Sequence, residues 1–336
     1  MYQPYNPFFA SHPQQQMEEE EKRNLRKDAT FVGIMSVALT VVMELAFTVL
    51  VLILMACGVF EYEQLSLPDL GIGNTAYLFL YMGVYIFALL FPAVIVALCC
   101  KRKYNPFSPA KPVGMGFAFF AILAAIGLCM FTNVVNSYVL AILSELGAEI
   151  PEAPQMMEPT LTSLGLNLFT VAVLPALLEE MIYRGYILRT LRPYGNVFAV
   201  LVSSLLFSLM HGNLRQIPFA FIVGLVLGFL YVLTDNIWMS ISVHFANNAI
   251  SVLMEYFGFG LSEEAVGYFY AMIIYGLTLV GGVALLILFL RYNQQMRVRK
   301  IDTCLSVSKR TATLFATPLF LICVILYVVL MILGAG

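Results

Sequence analysis

Apolar residues gather in long runs broken by short polar stretches. Runs of about 20 residues match the helix length needed to cross roughly 30 Å of hydrocarbon. Six stand out: Thr30 to Phe60, Ala76 to Cys100, Val113 to Leu143, Leu161 to Leu188, Ile237 to Phe257 and Gly267 to Leu290. A seventh, Ala312 to Ala335, closes the chain, while two shorter runs, Val197 to Met210 and Ile217 to Leu233, flank the polar stretch His211 to Gln216 and read as an antiparallel pair. The pattern predicts an all-α polytopic transmembrane bundle of eight to nine helices, with no internal repeat of the transporter kind. It divides into a disordered cytoplasmic tail over 1–29, N-terminal membrane helices over 30–160, a polar-bearing core over 161–257 and C-terminal helices over 258–336. The first run is too long and starts too late for a signal-peptide core, so it is expected to stay as an anchor.

Composition agrees with lipid as the main solvent: 61% of the 336 residues are hydrophobic and 11% charged, against about 25% charged in soluble domains. The net charge of −2 hides strong segregation along the chain, and nothing in it calls for a nucleic-acid partner. Every lysine and arginine except Arg215 falls in the tail, in the loop after the second helix, at the end of the fourth, or between Arg291 and Arg310. The alternate loops, Glu61 to Thr75, Glu145 to Thr160 and Gly258 to Glu264, are acidic. Positive residues prefer the cytoplasmic side of short loops, which predicts an inside N-terminus and an alternating path through the cell membrane. Six cysteines show no metal-knuckle or disulfide spacing and read as packing or lipid-facing residues.

Charged groups at membrane depth are costly and mark sites or pathways. Glu44 stands alone in the first run and is expected to be neutral and hydrogen-bonded to a neighbouring helix; Asp235 and Glu255, near helix ends, are expected to be solvated. The remaining polar groups lie between Leu161 and Phe257. In the stretch Pro175-Ala-Leu-Leu-Glu179-Glu180-Met-Ile-Tyr183-Arg184-Gly185, helix geometry puts Glu180 beside Arg184 and turns Glu179 about 100° away, free to face a cavity as a general base. A Glu–Arg pair that only staples helices is the plain alternative. His211 ends Phe207-Ser-Leu-Met-His211, and His244 shares a helix face with Asn248; the third histidine, His12, lies in the tail. Small residues Ser203, Ser204, Gly224, Gly228, Ser240, Ser242 and Ala246 would let these helices approach closely.

A carboxylate pair, two imidazoles and an amide in a nearly dry cavity suit water activation with stabilisation of an oxyanion. No G-x-S-x-G and no H-E-x-x-H is present, which argues against a serine nucleophile and against a soluble zincin. One tension stands. At 1.5 Å per residue Glu179 lies about 16 Å above Thr190 and His244 about 10 Å above Ile237, but His211 about 22 Å above Asn196.

The three elements Glu179-Glu180-x-x-x-Arg184, Phe207-x-x-x-His211 and His244-x-x-x-Asn248, in this order on successive helices, resemble the CPBP family: type II CAAX prenyl endopeptidases and the Abi, bacteriocin-processing and self-immunity proteins. The resemblance covers Leu161 to Phe257. It implies an intramembrane endopeptidase in which Glu179 and His211 activate water and His244 and Asn248 form the oxyanion hole, with Glu180, Arg184 and Phe207 in support. Glu179, His211 and His244 supply three ligands of an open Zn²⁺ site on one reading; on the other the mechanism is metal-independent. The implied partners are the bilayer and a peptide or lipidated protein substrate, prenylated or bacteriocin-like. A non-catalytic immunity or scaffold protein and a proton-coupled transporter are the rivals.

Overall fold

The computed structural model describes residues 13–59, 61, 72–102, 104–148, 150 and 160–332. Residues 1–12 of the expected tail, with His12, and most of the acidic stretches 61–75 and 145–160 lie outside the described residues.

Among the described residues the fold is all-helical: α1 (Pro13–Ala56), α2 (Asn74–Cys99), α3 (Met115–Glu145), α4 (Leu161–Tyr194), α5 (Asn196–Leu209), α6 (Ile217–Thr234), α7 (Ile237–Gly258), α8 (Glu263–Arg291), α9 (Val307–Phe315) and α10 (Pro318–Ile332). Seven of these are long and apolar enough to cross a membrane. Helix α5 is apolar but, at 14 residues, only about 21 Å long. The expected final helix from Ala312 is broken: α9 and α10 meet at 75°, because Pro318 cannot continue the preceding helix.

The tail expected through residue 29 is helical from Pro13, and Leu25 and Ala29 are fully buried. Its Gln, Glu, Lys and Arg residues read as solvated by composition, but they are also strong helix formers. Forty-four residues make about 66 Å of helix, so α1 runs well past one face of the bilayer. There it is clasped: Glu18 pairs with Lys309, Glu21 accepts the Cys304 backbone N–H, and Asp28 takes hydrogen bonds from Arg102 and the Tyr194 hydroxyl. Asn196 donates to the Arg299 carbonyl and Arg310 to the Tyr194 carbonyl. All four basic segments thus meet at one end of the bundle, as the alternating path requires, while Arg215 lies at the end of the short α5–α6 turn, its carbonyl held by Asn136.

Two sequence expectations fail on this frame. Asp235 is not simply solvated. It sits between α6 and α7 in a left-handed backbone conformation (φ 49°), paired with Lys111 and Arg192. Partial burial opposes its ionisation, but the hydrogen bonds and charges of Lys111 and Arg192 outweigh that and hold the carboxyl below its ordinary value. Glu44 is exposed on α1 and makes no side-chain hydrogen bond to another helix among the described residues. It lies about 24 Å beyond Asp28 along α1. Among the cysteines, Cys129 and Cys323 are buried, Cys57, Cys99 and Cys304 exposed, and all six are free thiols.

Tight crossings hold the bundle together. A Cβ on Gly127 of α3 would stand 2.5 Å from the Gly281 Cα of α8, and one on Gly33 of α1 2.5 Å from the Leu319 carbonyl carbon of α10. In lipid, where no hydrophobic force separates helix from tail, such backbone contact supplies the packing energy.

Candidate active site

Helix α4 is wound irregularly on both sides of the segment that carries its carboxylates. A wide π-type turn occupies Leu168–Val173, an ordinary segment follows over Leu174–Glu180, and a second wide turn runs over Met181–Leu188. Such turns are frequent at functional sites. Pro175 has no N–H to offer the carbonyl four residues back, that of Val171. Asn248 Nδ2, on α7, donates to that carbonyl at 2.9 Å.

Glu180 and Arg184 are fully buried and joined at 2.7 Å, as their i, i+4 spacing predicts. Arg184 also donates to the Gly224 carbonyl at 3.0 Å and lies 4.8 Å over the Phe207 ring. Close approach at this point depends on glycine: a Cβ on Gly224 would meet Ser204 Cβ at 3.0 Å and Phe207 Cδ1 at 3.2 Å, and one on Gly228 would meet Val200 at 3.1 Å. Ser203 and Ser240 hydroxyls cross-link helices through the Tyr183 and Leu227 carbonyls. Of the small residues expected at these seams, Ser242 is exposed and takes no part.

His244, buried on α7, stands between the two glutamates. Its Nδ1 is 3.0 Å from Glu180 Oε1 and its Nε2 is 3.7 Å from Glu179 Oε2. Since Glu180 Oε1 already accepts from Arg184, an ionised Glu180 makes His244 Nδ1 the donor and turns the Nε2 lone pair toward Glu179. The adjacent carboxylates therefore have different environments, although Glu180 also touches the histidine, which spacing alone did not anticipate.

Sequence reading missed Tyr85. From α2 its hydroxyl donates to Glu179 Oε1 at 2.6 Å, and Tyr81 and Tyr77 stack behind it at centroid separations of 5.9 and 6.4 Å. The i, i+4, i+8 tyrosine stripe on α2 was the available signal.

His211 lies in the turn after α5, with Nδ1 donating to the Phe207 carbonyl at 2.8 Å. Helical side chains lean toward their own N-terminus. Glu179 thus leans toward the start of α4, while His211, past the end of α5, folds back onto Phe207 of that helix. Phe207 gathers the cluster, its ring centroid 5.1 Å from His211, 5.9 Å from His244 and 5.3 Å from Tyr183. Glu179 and His244 are buried, whereas His211 and Asn248 are partly open. Glu179 is within ion-pair reach of His244 and not of His211.

The expected zinc ligand set does not fit. Among the described residues no group of three or more His, Cys, Asp and Glu side chains is arranged to hold a metal ion. Tyr85 occupies one oxygen of Glu179, and His211 is turned onto its own helix.

Residues 161–250 match the family described as type II CAAX prenyl endopeptidase Rce1-like. This segment is similar to the CPBP family. Relatives of the chain include the putative membrane peptidase YdiL of Bacillus subtilis (strain 168), 25% identical over 142 residues, or 42% of this chain and 58% of the relative. The membrane-embedded CAAX protease MroQ of Staphylococcus aureus (strain USA300) is 30% identical over 95 residues, or 26% of this chain and 38% of the relative. The chain thus spans less than two thirds of either curated relative. No solved structure matches it. Glu179, Glu180, Arg184, Phe207, His211, His244 and Asn248 all lie within the CPBP match, and Tyr85 lies outside it.

Proposed function

We propose that the protein is an intramembrane endopeptidase that hydrolyses a peptide bond of a membrane-associated substrate, prenylated CAAX-type chains being the first class to test. The observation that carries this reading is the placement of His244 between Glu180 and Glu179. Glu180, neutralised by Arg184, orients the imidazole; Glu179, held by Tyr85, presents its second oxygen toward Nε2. A water hydrogen-bonded to both, off the line joining them, would lose its proton to Glu179 as it attacks the scissile carbonyl. Glu179 would then pass that proton to His244 Nε2, which delivers it to the amine nitrogen as the C–N bond breaks.

This gives His244 the proton-transfer role first expected of His211. At the open rim the second Nδ2 hydrogen of Asn248 is the donor available to the carbonyl oxygen, since a neutral His211 gives its Nδ1 proton to the Phe207 carbonyl and offers only the Nε2 lone pair. Orientation with the basic end and N-terminus in the cytoplasm belongs to the same reading, because the basic segments share one end.

The test is purified protein, incubated with farnesylated CAAX peptides and with an unprenylated membrane-peptide library, with products read by mass spectrometry. Cleavage without any ion gradient, abolished in Glu179→Ala and His244→Ala, is expected. No cleavage of either set, together with proton-gradient-dependent solute uptake in proteoliposomes, would overturn the reading in favour of a transporter.

A further inference from the structure

Between α3, α5, α6 and α8 lies an apolar cavity of about 440 Å³, within the usual range for a small-molecule pocket. It shares no residue with the cluster around Glu179. Its wall on α3 is built of Ala121, Ala124, Ala125 and Leu128, and the three short side chains leave room that leucines in their place would fill. Along α6 it extends from Leu233 to Leu225, about 12 Å of depth. It is therefore a slot running from the basic end of the bundle into the hydrocarbon.

The mouth of this slot is charged. After α8 the chain turns over Tyr292–Arg297 and continues without helix; Met296 and Val298 line the cavity, while Arg297 and Arg299 are exposed beside it. Neither arginine has an ion-pair partner among the described residues, unlike Arg102, Arg184 and Arg192 on the same end or in the core. The segment is not loose at this point, because the Arg299 carbonyl accepts from Asn196 Nδ2 at 2.6 Å, and Asn196 itself lines the cavity. An apolar slot of membrane depth, flanked at the interface by two exposed and unneutralised guanidinium groups on a backbone held at Arg299, matches an amphiphile with a hydrocarbon chain and a phosphate head.

We propose that the slot holds one acyl chain of an anionic phospholipid whose phosphate rests on Arg297 and Arg299. A cationic side chain near a membrane surface favours an anionic lipid by roughly fivefold, so two should give about a 30-fold preference over a zwitterionic lipid of the same chains. The proposal does not depend on peptidase activity.

Native mass spectrometry of the full chain tests it, with equimolar phosphatidylglycerol and phosphatidylcholine of identical acyl chains. The expected result is one retained phosphatidylglycerol, with the preference collapsing to near unity in the double variant Arg297→Gln/Arg299→Gln. Leu201→Trp enlarges a half-exposed residue on the slot's outer edge and should reduce retention of both lipids while leaving the melting temperature unchanged. Equal retention of the two lipids by the parent protein, or an undiminished preference in the double variant, would overturn the proposal. So would full retention in Leu201→Trp, because the acyl chain would then lie elsewhere.

Discussion

Tyr85 and Glu179, 94 positions apart in sequence, are joined by a hydrogen bond of 2.6 Å at the base of the site. The phenol holds one carboxylate oxygen and thereby aims the other at His244. Replacing Tyr85 with Phe keeps the ring and removes only that bond, worth about 1.5 to 2 kcal/mol at the lower end of the range for a charged acceptor. Cleavage should fall roughly ten- to thirtyfold in kcat with KM and melting temperature little changed. An unaltered kcat in single-turnover assays would remove Tyr85 from the site.

The adjacent glutamates should separate by phenotype. Glu180 is fully buried with Arg184 as its partner, and breaking such a pair costs about 3 to 5 kcal/mol. Glu180→Gln and Arg184→Gln should both lower the melting temperature in detergent, whereas Glu179→Gln should melt normally and not turn over. If Glu179→Gln is the unstable protein, the two roles have been assigned backwards.

Asn248 answers two demands at once. Its bond to the Val171 carbonyl fills the place that Pro175 leaves open, and its remaining amide hydrogen is the candidate oxyanion donor. Asn248→Ala should lose both, with cleavage down by about 10² to 10³ and a lowered melting temperature. Adding Pro175→Ala, which restores an N–H to α4, should recover the melting temperature but not the rate. Recovery of both would leave Asn248 a purely structural residue.

Much of this site was legible because helix periodicity is local: Glu180 and Arg184, or Phe207 and His211, can be placed on one face from spacing alone. Association of α5 and α7 was expected because His211 and His244 each need a partner in lipid. Tyr85 was not legible, since a tyrosine on a membrane helix reads equally well as an interfacial anchor and its partner lies on another helix. The helical start of α1 was hidden for a different reason: solvated tails and solvated helices use the same Gln, Glu and Lys residues, and only the clasp on Glu18, Glu21 and Asp28 decides between them.

The junction of α6 and α7 gives a test by acid. Lys111 and Arg192 hold the Asp235 carboxyl below its ordinary value, so the stabilisation is fully present above the unfolded value near pH 4 and is lost as pH falls through the depressed folded one. The carboxylate is only partly buried, which limits the effect to about 1 kcal/mol. Asparagine tolerates the left-handed backbone found there, so Asp235→Asn removes charge alone. The variant should melt a few degrees below the parent at neutral pH, and the gap should close as the medium is acidified below pH 4. A gap independent of pH would mean that charge is not what Asp235 contributes.

Topology can be checked with single cysteines in a cysteine-free background. Probes at Lys101 and Arg299 should react from one side of sealed vesicles and probes at Arg215 and Glu263 from the other. Labelling of Lys101 and Arg215 from the same side would refute the alternating path.

The Tyr85 bond also bears on where this molecule can be cut. The CPBP match starts at residue 161, yet the base of the site is finished by a hydroxyl from a helix that lies before that boundary. Resemblance and cooperative folding therefore mark out different units. A fragment beginning at Leu161 would carry all the motif residues and still leave one oxygen of Glu179 without its donor. Exchange of N-terminal helices between relatives is constrained in the same way: a grafted α2 would have to present a hydroxyl at the position of Tyr85.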